Sequence, residues 1–414
     1  MTFDNVPAAA GLYEIQEYYD GYDKGLWLPD GPLSEADLVA GGPCLFDGPF
    51  TYPVMVARQS ALDANIATMA GYTERHGVLF APHGKTSMSP KLFAAQLAAG
   101  AWGITVATAN QALAAHRFGV PRVVLANELL DGRALRWAAE QTRDGWEFYF
   151  YVDSPEGVAA AARAVDAVPG GRLNVLLELG RPGGRTGFRS VDEALALAPE
   201  LPKAGLSLAG VSGYEGGLPD ADAITEWLGS LLEAGDRVAD LISGPPIVSA
   251  GGSAWFDTVV DVLGPVAGDR TVVLRSGAYV SHDDGFYSRM TPFVRHPDEG
   301  SLAGALEVWA QVLSAPEPGL AVLGAGRRDV PFDLDLPTPL QVRGTDGVLR
   351  PAGGAKVAKL DDQHAYVETG DTALVPGELV RLGISHPCTA FDKWRVVPVV
   401  DDDHRVVDVL RTYF

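Results

Sequence analysis

Up to about residue 290 the chain alternates short apolar runs with Ala- and Leu-rich stretches of helical periodicity. Eight runs read as strands: residues 78–81, 103–107, 122–126, 147–152, 173–179, 207–211, 247–250 and 271–274. Most are almost continuously apolar, the pattern of parallel strands covered on both faces. Helix starts recur between them. Ser154-Pro155 sets an N-cap ahead of a proline at the first helical position. Ser190 with Glu193, and Ser60 with Asp63, have capping-box spacing. Residues 220–242 and 254–263 read as later amphipathic helices. Eight such units in about 230 residues predict a (β/α)8 TIM-type barrel with right-handed crossovers, rather than an open doubly wound sheet. No clear helix follows the eighth run, so residues 60–75 are expected to fill its place in the ring.

After residue 300 the helical periodicity stops. Apolar runs at 306–313, 377–383 and 395–400 are separated by Gly, Pro and Asp. Asp401-Asp402-Asp403 then turns the chain into 405–410, a hairpin signal. The organisation predicted is an extension over 1–45 able to join the β domain, a barrel over 46–295, and a separate all-β domain over 296–414.

Composition narrows the class. Of 414 residues, 47% are hydrophobic and 21% charged, as in soluble globular proteins. Lys plus Arg number 32 against 53 Asp plus Glu, a net charge of −21 that repels phosphate backbones and anionic lipid. Neither a nucleic-acid partner nor a membrane is expected. No apolar run reaches the roughly 18 residues of a spanning helix. The first 25 residues lack the basic-then-apolar order of a secretory signal. Two cysteines, Cys44 and Cys388, cannot build a disulfide framework in a chain this long. A cytoplasmic enzyme is expected.

In a barrel, chemistry collects at the C-terminal strand ends. The first run ends in Pro82-His83-Gly84-Lys85-Thr86, the fifth in a glycine-rich loop carrying Gly184-Arg185-Thr186-Gly187. The sixth ends near Tyr214, the seventh in Gly251-Gly252-Ser253, the eighth in Ser276-Gly277-Ala278-Tyr279. A Gly-Gly-Ser turn opening an amphipathic helix suits a phosphate, because backbone N–H groups can approach it. A lysine in the mouth can form a Schiff base with pyridoxal phosphate. In the β domain, His386-Pro387-Cys388 offers imidazole and thiolate, both zinc ligands, and leaves coordination positions free.

Together these motifs resemble the alanine-racemase-like, fold-type III pyridoxal-phosphate enzymes, in the branch of metal-dependent D-serine dehydratases and D-threonine aldolases. The resemblance runs from about Pro53 to the C-terminus. It implies that Lys85 carries the cofactor and that Arg185 approaches its phenolic oxygen. It implies that Gly251, Gly252, Ser253 and the Gly277 turn hold its phosphate, with Tyr214 and Tyr279 lining the site. His386 and Cys388 are similar to the branch's zinc pair; manganese is the alternative metal. Ser276 departs from the family's usual proline. A homodimer is also implied.

The leading expectation is a lyase that eliminates the β-hydroxyl of a small D-β-hydroxy amino acid, D-serine above all, giving a 2-oxo acid and ammonia. The alternatives are retro-aldol cleavage of the D-threonine type and 3-hydroxyaspartate dehydration. The latter needs a further cation, for which Arg181, Arg189 and Arg289 are candidates. A non-catalytic cofactor-binding protein is the remote alternative. No role is read for His83 or His364.

Overall fold

A computed structural model of the chain describes residues 18–414, so the first part of the 1–45 extension lies outside the described residues. Eight parallel strands form one sheet: Leu79–Phe80, Ile104–Val106, Arg122–Glu128, Glu147–Val152, Asn174–Leu179, Ser207–Gly213, Ile247–Ala250 and Thr271–Leu274. Each predicted run became one of them. The sheet's two ends also meet. Trp102 N donates to Phe80 O at 2.7 Å and Thr105 N to Pro82 O at 2.9 Å, beside a parallel bridge between His83 and Thr105. The sheet thus curls on itself until its ends meet, as the predicted barrel requires.

The predicted caps form at two of three sites. Ser154 Oγ accepts from Gly157 N and Ser190 Oγ from Glu193 N, each at 3.3 Å. The Ser60–Asp63 box does not form. Helix Gln59–Arg75 begins one residue earlier, without a side-chain cap on Arg58, and Ser60 Oγ instead donates to Asp402 at 2.8 Å. The reason is the strand just before it. Val54–Arg58 pairs antiparallel with Leu306–Glu317 and parallel with Val396–Val400, both strands of the C-terminal sheet. The helix therefore starts directly off the β domain, and Ser60 faces that domain's last hairpin turn. The helix still packs where the eighth was missing: Asn65 Nδ2 donates to Val280 O (3.2 Å) and Ala303 O (2.8 Å).

The β domain is antiparallel apart from that one pairing, and its closing strands Val396–Val400 and Val406–Arg411 form the expected hairpin. The described part of the extension lies against it. Tyr19, Leu26, Leu38 and Leu45 share one apolar cluster with Trp309, Val396 and Val409. Burying this surface is what holds the segment in place. The strand-end face of the barrel is then roofed by β-domain loops.

Candidate active site

A cavity of about 510 Å³ opens between the strand ends and the β domain. It is lined by Lys85, Arg185, Tyr214, Gly251, Gly252, Ser253, Gly277, His386 and Cys388, which came from the sequence, and by His83, Thr86, Arg275 and Tyr287, which did not. Tyr279 does not line it. Its ring is 3% exposed, packs 5.2 Å from Phe80, and its hydroxyl accepts from Gln96 at 2.9 Å, so it is a core residue.

Lys85 sits in a single 3-10 turn, Gly84–Thr86, directly after the first strand. The turn is pressed onto the core: a Cβ on Gly84 would lie 2.6 Å from Phe93 and 2.7 Å from Ile104. Burial lowers the Lys85 pKa; the charge of Cys388 opposes that shift and Arg185 adds to it. The result is an amine that is neutral more readily than an exposed lysine. His83 is half-buried at the cavity wall, and burial, with Lys85, Arg275 and Arg185 adding, pushes its pKa well below the usual imidazole range. Its Nδ1 is buried without a hydrogen-bond partner.

Two glycine turns form the opposite wall. Gly251 takes φ +101°, a conformation that favours glycine. The buried Glu215 carboxylate accepts the N–H groups of Gly251, at 3.1 Å, and of Gly252. Ser253 Oγ accepts from Ala278 N at 3.3 Å, tying this turn to the one after strand eight. Arg275 is buried between them. Its guanidinium donates to Ser212 Oγ (3.2 Å), Ser249 Oγ and Gly213 O (2.6 Å). Arg185 stacks over Tyr214 at 4.5 Å.

The β domain supplies the roof. Cys388 Sγ lies 3.6 Å from Thr86 Oγ1, the residue after the lysine. His386, at φ +60°, donates its backbone N–H to Asp283 at 2.9 Å, and its Nδ1 bonds Asp333. Burial works to lower the His386 pKa, but bonding and charge from Cys388 and Asp333 outweigh it and hold it at about 9. Among the described residues no three His, Cys, Asp or Glu side chains are grouped to enclose a metal. The pair alone is an open site.

The candidate distal cations are all occupied elsewhere. Arg181 donates to Gly217 O and Arg189 to four carbonyls of its own loop, while Arg289 pairs with Asp335 at 2.7 Å. None lines the cavity.

With this geometry in hand, comparisons with known proteins agree on class. A family model described as "Alanine racemase, N-terminal domain" matches residues 58–258, and one described as "Putative serine dehydratase domain" matches 305–400. The chain is 25% identical to the 3-hydroxy-D-aspartate aldolase of Paracoccus denitrificans (strain Pd 1222) over 91% of its own length and 93% of that protein. It is 31% identical to the D-threo-3-hydroxyaspartate dehydratase of Delftia sp. (strain HT23), over 56% of this chain and 61% of that one. Among solved structures, D-threonine aldolase from Filomicrobium marinum superposes with a TM-score of 0.75 at 23% identity, covering 88% of this chain and 95% of that one. A cysteine-to-alanine variant of D-threo-3-hydroxyaspartate dehydratase, described as "in the metal-free form", gives 0.68 at 23% identity, over 88% and 97%.

The chain has an alanine-racemase-like barrel followed by a serine-dehydratase-type β domain, the architecture of fold-type III pyridoxal-phosphate enzymes. The relatives that match it carry the names of lyases: aldolases and a dehydratase. The expectation that D-serine leads is corrected here, because these relatives carry the names of the alternatives: aldolase and 3-hydroxyaspartate dehydratase. Among the described residues no helix is long and apolar enough to cross a membrane.

Proposed function

We propose that the protein is a metal-assisted lyase of D-β-hydroxy amino acids that works by retro-aldol cleavage, releasing glycine and an aldehyde. One observation carries the reading. The β-domain pair His386 and Cys388 is brought against the barrel lysine, with Cys388 Sγ 3.6 Å from the neighbour of Lys85. A group acting at Cα and a group acting on the β-oxygen then share one cavity. The relative matching 91% of the chain is an aldolase, which favours C–C cleavage over elimination.

The residues present fit the cofactor. Lys85 is a desolvated amine, Arg185 supplies a cation in the same cavity, and Ser253 and the Gly277 turn line its wall. Pyridoxal phosphate, when bound, supplies a sink for the electron pair left at Cα. A divalent metal on His386 and Cys388, zinc first, would act as a Lewis acid toward the β-hydroxyl. The chain's own groups do the rest. The β-hydroxyl gives its proton to the neutral Lys85 amine in the same cavity, the Cα–Cβ bond breaks, and the oxygen becomes the aldehyde carbonyl. Lys85 Nζ then delivers that proton to Cα to complete glycine. The roof over the strand ends limits water.

Elimination is the second reading, favoured by the dehydratase-type β domain and the 31% identical dehydratase. In that case Lys85 removes the α-proton and the β-hydroxyl departs. D-threonine tests both in one tube. Enzyme supplied with pyridoxal phosphate and zinc or manganese should yield glycine and acetaldehyde, and a chelator should stop it. Chelator-sensitive 2-oxobutanoate and ammonia would instead establish elimination. No turnover of D-threonine or of D-3-hydroxyaspartate under these conditions would overturn the lyase reading.

A further inference from the structure

We propose that Asp333 is a positioning residue that locks the tautomer of His386, so that Nε2 is the nitrogen offered to the metal. The inference rests on the metal role given to His386 and Cys388 above, and deepens it.

Asp333 lies 53 residues before His386 in sequence, in an irregular stretch of the β domain. One carboxylate oxygen bonds His386 Nδ1, and the other accepts the Thr389 hydroxyl at 2.9 Å. Thr389 therefore aims the carboxylate as well as sharing it. As a metal ligand the imidazole must be neutral, with one N–H and one lone pair, and an ionised carboxylate only accepts. Nδ1 facing Asp333 must then be the donor, which leaves the lone pair on Nε2. The rest of the residue is pinned independently. Its backbone N–H is fixed by Asp283 at 2.9 Å, and that same carboxylate accepts Gly285 N (3.0 Å), Tyr287 N (3.2 Å) and Ser288 N (3.2 Å) from the loop after strand eight. His386 and Cys388 line the same cavity. The His386 side chain is 19% exposed and that of Asp333 40%, so the carboxylate shields the ring from the solvent side. Histidine ligands whose second nitrogen is held by a carboxylate are oriented and made more basic, and losing that partner weakens metal binding by roughly 10–100-fold.

Asp333→Asn is the decisive change, because it keeps the shape but can present either an acceptor or a donor to Nδ1. Cobalt(II) is the probe, titrated into metal-stripped enzyme that retains its cofactor, in competition with a chromophoric chelator. Asp333→Asn should bind cobalt about 10–100-fold more weakly than the unaltered enzyme. At saturation it should still show the thiolate-to-cobalt charge-transfer band, and its cofactor content should be unchanged. Asp333→Glu should recover part of the affinity, and Thr389→Val should lose a smaller part. Cys388→Ala separates the two levels of argument. If Cys388→Ala binds cobalt as the unaltered enzyme does, the metal site itself has been misplaced. If Cys388→Ala loses the band while Asp333→Asn keeps full affinity, the metal site stands and the role of Asp333 is overturned.

Discussion

Gly277→Ala isolates how tightly the lysine is held. Gly277 has φ −119° and ψ −34°, a conformation alanine adopts without strain, so backbone preference plays no part. Space does. An added Cβ would lie 2.6 Å from both Cβ and the carbonyl oxygen of His83 and 3.1 Å from its Cα. Those are mostly backbone atoms, which cannot swing aside like the end of a side chain. Relief to an ordinary contact of at least 3.4 Å means a separation of roughly 0.8 Å between the two turns. Overpacking of this kind costs about 1–3 kcal/mol. The strain has one outlet. The 3-10 turn after His83 is backed by Phe93 and Ile104, so displacement passes along the chain into Lys85, two residues on. A shift of about 1 Å in a reacting group can lower turnover by about 100-fold. Gly268→Ala is the control, since nothing lies within 4 Å of its Cβ; it should stay within about 0.5 kcal/mol. Urea unfolding gives the stability change, and a pyridoxal-phosphate titration with kcat on D-threonine gives the functional one. If Gly277→Ala matches Gly268→Ala in all three, the two turns are not the rigid cradle inferred here.

Three further changes probe separate parts of the site. Arg275→Lys keeps the charge but not the planar fork that serves Ser212, Ser249 and Gly213; losing one or two charge-assisted bonds should destabilise by about 2–4 kcal/mol in urea, and an unchanged midpoint would count against the network. Asp284 titrates at about 6, raised from 3.8 chiefly by burial. Because the folded state holds this proton more tightly, stability should fall as pH rises from about 4 to above 6. The difference of about two pH units corresponds to about 3 kcal/mol. Asp284→Asn should therefore gain up to that much at pH 8 and nothing below pH 4; equal gain at both would refute the assignment. Cys388→Ala should remove metal-dependent turnover while leaving the visible band of the lysine-bound cofactor, and loss of that band as well would show that the roof also holds the cofactor.

What the sequence shows of this enzyme follows how local each determinant is. The barrel strands were readable because burial on both faces leaves continuous apolar runs, and their ends then pointed to Lys85, Arg185 and the glycine turns. Arg275 was within reach on the same logic, as a charge closing the apolar run 271–274, but nothing local says that its partners are three oxygens on neighbouring strands. Tyr279 runs the other way. A motif position beside the phosphate turn suggested the pocket, while the 3-10 turn Ala278–Val280 rotates its ring into the core against Phe80 and Gln96. Val54–Arg58 reads as an apolar run ahead of the barrel, and only its pairing with strands some 250 and 340 residues later gives it to the other sheet. Shorter but still non-local separations, of 36, 103 and 53 residues, hide Glu215, Asp283 and Asp333. Each is a carboxylate in a loop, of a kind usually solvated, and each gains its role from backbone N–H groups or an imidazole brought to it by the fold. The reacting groups are thus written in short motifs, while the groups that orient them are written only in the tertiary structure.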